Sequence, residues 1–189
     1  MSINSLLMKI LKKIGFVLLV LIALFLIIPL FVQKDFIVSR TVSIKKAKTD
    51  VFDYARFLEN QADYVVWLKK DPKATVEGNG VDGTVGYISS WESNREEIGV
   101  GEQEITGIKE GERIDFAFRY KEPQEMQSTA HMEFESAGEA STKVSWTFKS
   151  SMPYPWNIFN LFVDKDQAMG PDLEKGLNNM KEILESEIE

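Results

Sequence analysis

Large aromatic side chains at alternating positions are the residues of this sequence best suited to chemistry, and that chemistry is the binding of an apolar molecule. Phe116, Phe118 and Tyr120 alternate with small or polar residues, and so do Trp146 and Phe148. Alternate side chains of a β-strand point to the same face of a sheet. Such strands would build one aromatic face, and an apolar cavity with a few polar groups is the usual small-molecule site.

The predicted ligand-binding residues are apolar or aromatic, and they come from the strands and from the helical segments around them. They are Trp67, Trp91, Phe116, Phe118, Tyr120, Met132, Phe134, Trp146, Phe148, Trp156, Leu173, Leu177 and Met180. The alternative for each of them is that it fills the hydrophobic core without touching any ligand.

Groups for catalysis are sparse or placed without a specific pattern. The one histidine, His131, lies two residues before Glu133 in the same strand pattern, so both side chains are expected on the polar face of the sheet. Cysteine is absent, which excludes a thiolate nucleophile and a cysteine-ligated metal site. Glu102 and Glu104 lie two residues apart, a spacing expected by chance among 29 acidic residues. We predict no catalytic residue, no metal and no cofactor; an acid–base role of Tyr120 or of a buried carboxylate is the alternative.

An uncharged run of 19 residues, 14–32, consists mostly of Leu, Ile, Val and Phe. As a helix it would rise about 28 Å, close to the hydrocarbon thickness of a bilayer. We predict that residues 1–34 form a cytoplasmic stub and an uncleaved membrane anchor. A cleavable signal peptide is one alternative, although the run is long for one and lacks a small-x-small pair near its end. A buried core helix is the other.

Charge is distributed unevenly along the chain. Lys9, Lys12 and Lys13 precede the apolar run, so the positive-inside rule predicts a cytoplasmic N-terminus and a domain on the extracytoplasmic side of the cell membrane. Residues 1–34 hold four of the 22 basic residues and no acidic one, which leaves 18 basic and 29 acidic residues and a net charge of −11 for the rest. A domain with this much negative charge would repel the phosphate backbone of a nucleic acid, so we expect no nucleic-acid partner.

The remainder of the chain, residues 35–189, shows one order of elements. A β-branched run predicts a strand over 36–44, and two short helical patterns follow over 49–57 and 61–68. Six strand patterns separated by short turns come next, over 74–77, 84–92, 98–108, 113–120, 127–136 and 142–150. The last segment, 169–187, has an amphipathic helical pattern in which Pro171 suits the first turn.

This order resembles the START-like helix-grip superfamily, in particular its polyketide cyclase/dehydrase (SRPBCC) branch. The segments that carry the resemblance are Val42-Ser43-Ile44 leading to Val51-Phe52, Ile105-Thr106, Lys143-Val144-Ser145-Trp146, and 169–181, which reads Met-Gly-Pro-Asp-Leu-Glu-Lys-Gly-Leu-Asn-Asn-Met-Lys. The resemblance implies an α+β fold in which a curved antiparallel sheet, in the order β-αα-β6-α, wraps a long C-terminal helix. It also implies a cavity between sheet and helix for an apolar small molecule, and it provides no catalytic motif to carry over.

We therefore expect a single-pass, membrane-anchored domain that binds a hydrophobic small molecule or lipid without catalysis. A cyclase- or dehydratase-type enzyme acting on a hydrophobic substrate is the first alternative. A packed structural or partner-binding module without a ligand is the second. Ligand identity and oligomeric state stay open.

Overall fold

The computed structural model describes residues 3–186 and divides them into two compact units. The first unit comprises residues 3–35 and 152–164, and the second comprises residues 36–151 and 165–186. The segment 152–164 therefore packs with the N-terminal helix. The division into an anchor, 1–34, and a domain, 35–189, stays a prediction.

The first unit is built on one long apolar helix, α1 (Ile3–Ile27), which continues as a 3₁₀ turn (Ile28–Phe31). Its span Leu7–Phe31 is long and apolar enough to cross a bilayer by length and composition, criteria that signal sequences near an N-terminus also meet. Apolar side chains project from all sides of it, and only 6% of the span is buried. A second 3₁₀ turn, Trp156–Leu161, completes the unit.

The second unit contains a curved, seven-stranded antiparallel sheet in the order β1-β7-β6-β5-β4-β3-β2. The strands are β1 (Asp35–Ile44), β2 (Thr75–Asn79), β3 (Ile88–Glu92), β4 (Val100–Lys109), β5 (Arg113–Glu122), β6 (Met126–Ser136) and β7 (Thr142–Ser151). Between β1 and β2 lie α2 (Lys48–Arg56), a 3₁₀ turn (Leu58–Asn60), α3 (Gln61–Tyr64) and α4 (Val66–Lys69). The long helix α5 (Lys165–Ser186) follows β7.

The core lies between one face of this sheet and α5. Leu173, Leu177 and Met180 of α5 are buried against the inward-facing residues of β5 to β7. Gly176 lets the helix approach closely, since a Cβ atom there would lie 3.2 Å from the Trp146 ring. The α+β helix-grip fold expected from the order of elements is confirmed.

Three element boundaries differ from the sequence-based expectation. The last helix begins at Lys165, so Pro171 lies inside it and not in its first turn. The acidic residue of the first turn is Asp166, whose carboxylate accepts hydrogen bonds from Arg40 of β1. The helical pattern over 61–68 is broken because Val65 is extended between α3 and α4. The strand expected over 84–92 begins only at Ile88, after turns that contain the positive-φ Gly83 and Gly86.

Candidate functional site

A cavity of about 220 Å³ lies in the second unit, between the concave face of the sheet and the N-terminal half of α5. The sheet, α4 and α5 contribute most of its wall. The lining residues are Trp67, Trp91, Glu97, Ile98, Phe118, Tyr120, Phe148, Ala168, Met169, Asp172 and Leu173. Five of them are aromatic, which makes the interior apolar.

The aromatic rings of the cavity support one another. The Trp91 ring meets the Tyr120 ring edge-on at a centroid distance of 5.7 Å, and Tyr120 stacks on Phe118 at 6.2 Å. Trp91 Nε1 donates a hydrogen bond to the Ile98 carbonyl at 3.3 Å. Gly101, its direct partner on β4, leaves room for the indole, because a Cβ atom at Gly101 would lie 2.5 Å from Trp91 Cζ2. These contacts fix the wall in one arrangement.

The polar groups of the cavity are a phenol and two carboxylates. Burial raises the pKa of Tyr120 to about 12, so its hydroxyl stays protonated at neutral pH and can donate a hydrogen bond. The Glu97 pKa is lowered by a hydrogen bond from its own backbone N–H and by the Arg95 guanidinium. Asp172 accepts a hydrogen bond from Lys70 Nζ at 2.8 Å. The carboxylates are thus oriented by cations near the mouth, and the phenol lies within.

A second cavity, of about 180 Å³, is bounded by the same two indoles, Trp67 and Trp91. Its remaining lining is more polar than that of the first cavity. It consists of Leu58, Glu59, Gln61, Ala62, Val76, Gly78, Tyr87, Ser89 and Gln103. The concave face therefore carries an apolar cavity and a polar one side by side.

The thirteen residues predicted to bind the ligand fall into three groups. Six line the first cavity: Trp67, Trp91, Phe118, Tyr120, Phe148 and Leu173. Six lie in the packed core: Phe116, Met132, Phe134, Trp146, Leu177 and Met180. Trp156 belongs to the first unit, where its ring lies 6.1 Å from that of Phe25. Contact of the first six with a ligand stays a prediction.

The packed group is covered by the helices between β1 and β2. Phe52 of α2 meets Phe134 edge-on at 5.3 Å, and Tyr64 of α3 meets Trp146 edge-on at 6.2 Å. These helical side chains fill one half of the concave face. The first cavity lies beside the other half.

Sequence reasoning missed five residues of the first cavity: Glu97, Ile98, Ala168, Met169 and Asp172. Met169 lies in the predicted helix, four residues before Leu173, so the helical period could have identified it. Ala168 would have been found only if the predicted helix had begun nearer to Lys165. Glu97 and Ile98 lie in the loop before β4, where no periodicity applies.

The polar residues singled out from the sequence lie on the outer face of the sheet. His131 is half-buried between its strand neighbours, with Nε2 3.9 Å from a Glu133 carboxylate oxygen. Arg119 binds Glu102 at 2.6 Å and Glu104 at 2.8 Å, which gives the two glutamates a shared ion-pair partner. The Arg119 hydrogen bond lowers the pKa of Glu102. This cluster is a structural ion-pair network and not an acid–base pair.

Comparison with known proteins identifies the fold. No protein-family model matches the sequence, and a search of curated proteins finds no match either. Among solved structures, norcoclaurine synthase from Thalictrum flavum, in complex with dopamine and hydroxybenzaldehyde, is similar with a TM-score of 0.60 and 11% identity over 85% of this chain and 92% of that one.

Two bacterial proteins are similar as well. An uncharacterised protein from Rhizobium leguminosarum has a TM-score of 0.56 and 13% identity, over 82% of this chain and 99% of its own. Mll3558 from Rhizobium loti has a TM-score of 0.55 and 17% identity, over 78% of this chain and 95% of its own. At these identities the likeness shows the helix-grip fold, and the polyketide cyclase branch stays a prediction.

Proposed function

We propose that this chain binds an apolar small molecule or lipid in the cavity between sheet and α5, and that α1 anchors it in a membrane. The observation that carries the proposal is the cavity of about 220 Å³ walled by five aromatic rings, with one protonated phenol inside. Removing apolar surface from water stabilises a complex by about 25 cal/mol per Å². The cavity is smaller than the roughly 300 Å³ of typical ligand sites, so it suits a ring or a short chain.

The ionisable groups of the cavity favour binding over acid–base catalysis. A general acid or base works best with a pKa near the operating pH. Burial moves the pKa of Tyr120 up to about 12, and the pKa of Glu97 is lowered, so both groups move away from neutrality. The phenol can orient an oxygen of the ligand by a hydrogen bond, without transferring a proton.

The first unit supports an uncleaved anchor. Asn157 is completely buried, and its Nδ2 donates hydrogen bonds of 2.8 Å to the carbonyls of Pro29 and Val32. The Tyr154 hydroxyl donates to the Leu26 carbonyl at 2.9 Å. These carbonyls belong to the end of the helical segment, where few backbone donors remain. The Pro29 carbonyl also accepts from the Val32 N–H at 3.3 Å. Cleavage at the end of the apolar run, after Val32, would leave the buried Asn157 amide without its acceptors.

The same segment has the composition of a membrane interface. Tyr154, Trp156, Phe159 and Phe162 are exposed beside the end of α1, and Trp156 stacks on Phe159 at 6.2 Å. Tyrosine and tryptophan are enriched at the level of lipid headgroups. We infer that 152–164 lies at the bilayer surface and that the N-terminus, with its lysines, is cytoplasmic.

The ligand proposal is tested by comparing what co-purifies with three forms of the full chain. Each form is purified from its own host in native lipid nanodiscs, and the bound small molecules are extracted and identified by mass spectrometry. The variant A168W places an indole at an exposed position of the cavity wall, and K175W places the same side chain elsewhere on α5. One class of apolar molecule should be enriched with the wild type and K175W and lost with A168W. Identical extracts from all three forms would contradict the proposal.

The anchor is tested separately. The full chain should stay in the membrane fraction after alkaline carbonate extraction at its uncleaved mass. In intact cells an added protease should reach the second unit. Release into the soluble fraction, or a mass that lacks α1, would refute the anchor, and protection of the second unit in intact cells would refute the topology.

A further inference from the structure

Two buried carboxamides, those of Gln61 and Gln103, line the second cavity. The side chains of Gln61 and Gln103 are only 3% and 5% exposed, and both line this cavity. Within residues 3–186 neither amide nitrogen makes a hydrogen bond of normal geometry. The Gln61 amide does interact with the Tyr64 hydroxyl, which partly offsets the rise of the Tyr64 pKa caused by burial, whereas Gln103 has no such neighbour in the described part of the chain. A buried polar group left unpaired costs about 1–3 kcal/mol, so native proteins rarely keep one without a partner. Two such donors lining one cavity indicate that a ligand supplies the acceptor.

The surroundings of the two amides are negative. The Asp82 carboxylate accepts hydrogen bonds from the backbone N–H groups of Leu58 and Glu59, each at 2.9 Å. Burial, with smaller contributions from the charges of Asp82 and Glu59, raises the pKa of Tyr87 in the wall of the cavity. A carboxylate or phosphate would be repelled there, since like charges at short range disfavour each other. The acceptor is therefore a neutral oxygen.

The sheet register makes the two cavities neighbours on one face. Gln103 pairs with Ser89 of β3, which lines the second cavity, and with Phe118 of β5, which lines the first. Trp91, two residues beyond Ser89, borders both cavities, and so does Trp67. The two cavities therefore adjoin at the indoles of Trp67 and Trp91. A ligand that presents its apolar part to the aromatic cavity and its oxygen to the amides would extend past these two rings.

We infer that the ligand is an apolar molecule bearing a neutral carbonyl or hydroxyl oxygen, which accepts hydrogen bonds from the carboxamides of Gln61 and Gln103. This inference rests on the proposed function, because it specifies the chemistry of the molecule that fills the aromatic cavity. It names the second cavity as the polar subsite of the same ligand.

The test compares three probes of similar size: hexanophenone, which carries a ketone; hexylbenzene, which carries no oxygen; and 4-pentylbenzoate, which carries a carboxylate. Binding to the full chain in lipid nanodiscs is measured by equilibrium dialysis, with empty nanodiscs correcting for partition into lipid. The ketone should bind the wild type about tenfold more tightly than hexylbenzene, the effect of one buried hydrogen bond. The carboxylate should bind more weakly than the ketone.

The variants Q61M and Q103M remove each donor at similar volume, and each should lose most of the preference for the ketone. Q127M makes the same change at an exposed position of β6 and should keep the full preference. Equal binding of ketone and hydrocarbon by the wild type, or tightest binding of the carboxylate, would overturn the inference even if a variant failed to fold. Failure of all three probes to bind would instead refute the proposed function itself.

Discussion

Replacing Gly101 by alanine tests whether Trp91 is a fixed wall of the cavity. A Cβ atom at position 101 would lie 2.5 Å from Trp91 Cζ2 and 3.0 Å from the Arg119 carbonyl oxygen. Ordinary contacts begin near 3.4 Å, so the indole must move by about 0.9 Å. The Arg119 carbonyl on the other side of the new methyl group belongs to the backbone of β5 and can move very little. Because the cavity lies beside Trp91, the indole moves into it.

The expected magnitude follows from overpacking. Inserting a methyl group into a well-packed region costs about 1–3 kcal/mol. For a chain of this size, each kcal/mol lowers the melting temperature by about 2–4 °C, so G101A should melt about 2–12 °C below the wild type. Displacing Trp91 also strains its contact with Tyr120, and hexanophenone should bind about fivefold to tenfold more weakly.

The assay is thermal unfolding of the full chain in nanodiscs, together with equilibrium dialysis of the same probe. The matched control is G107A on the same strand, where the new Cβ atom would meet only the partly exposed Asp115 carboxylate, at 3.2 Å. That variant should melt within about 2 °C of the wild type and bind the probe normally. If G101A keeps both the wild-type melting temperature and the wild-type affinity, the assignment of Trp91 as a fixed wall is wrong.

Two further predictions concern groups in different units. Burial raises the pKa of Tyr120 to about 12, against an ordinary 10, so the phenol of the unfolded chain loses its proton at a lower pH than that of the folded chain. The free energy of unfolding is therefore unaffected below pH 10 and falls as the pH rises toward 12, by about 2.7 kcal/mol at most. Denaturant unfolding at pH 9 and pH 11 should show about half of that decrease for the wild type and a smaller decrease for Y120F; equal decreases would contradict the assignment. In the first unit, N157A removes the side-chain donor from the carbonyls of Pro29 and Val32, of which Pro29 keeps the Val32 N–H, at a cost of about 2 kcal/mol. Limited proteolysis in membranes should then cut 152–164 faster than in the wild type, and an unchanged rate would refute the role of Asn157.

The alternation of aromatic residues was enough to predict the sheet and its apolar face. Phe118 and Phe148 have the same pattern as Phe134 and Trp146, yet the first two line the cavity and the last two are packed. What separates them is the position of α2 and α3, whose side chains cover only one half of the face. That position depends on tertiary contacts between distant parts of the chain, which local periodicity does not encode.

The segment 152–164 shows a similar limit. Its prolines and aromatic residues indicate an irregular apolar connection, but its partner, the end of α1, lies about 125 residues earlier in the sequence. Asn157 looks like a polar residue at the surface of a loop, whereas the structure buries it completely. Its role becomes visible only when the free carbonyls at the helix end are counted.

Gln103 gives the most instructive case. In the run Glu102-Gln103-Glu104 the two glutamates attract notice as possible catalytic groups, yet they point outward to Arg119. Strand alternation then requires Gln103 to point inward, between Gly101 and Ile105. A polar side chain that points inward and needs a hydrogen-bond partner is a stronger indication of a binding site than two carboxylates that point to solvent.

The two halves of the concave face have different roles, and this difference explains why a domain of this size can keep a cavity. Trp146, Leu177 and Met180 bury their side chains against α3 and the sheet, and this half supplies the packing that holds α5 in place. The half around Trp91 and Tyr120 is held instead by ring–ring contacts and by the indole hydrogen bond to Ile98. Those contacts keep the wall in position without filling the space, so volume for a ligand remains. Substitutions in the first half should therefore lower stability more than binding, whereas substitutions in the second half should lower both, as expected for G101A.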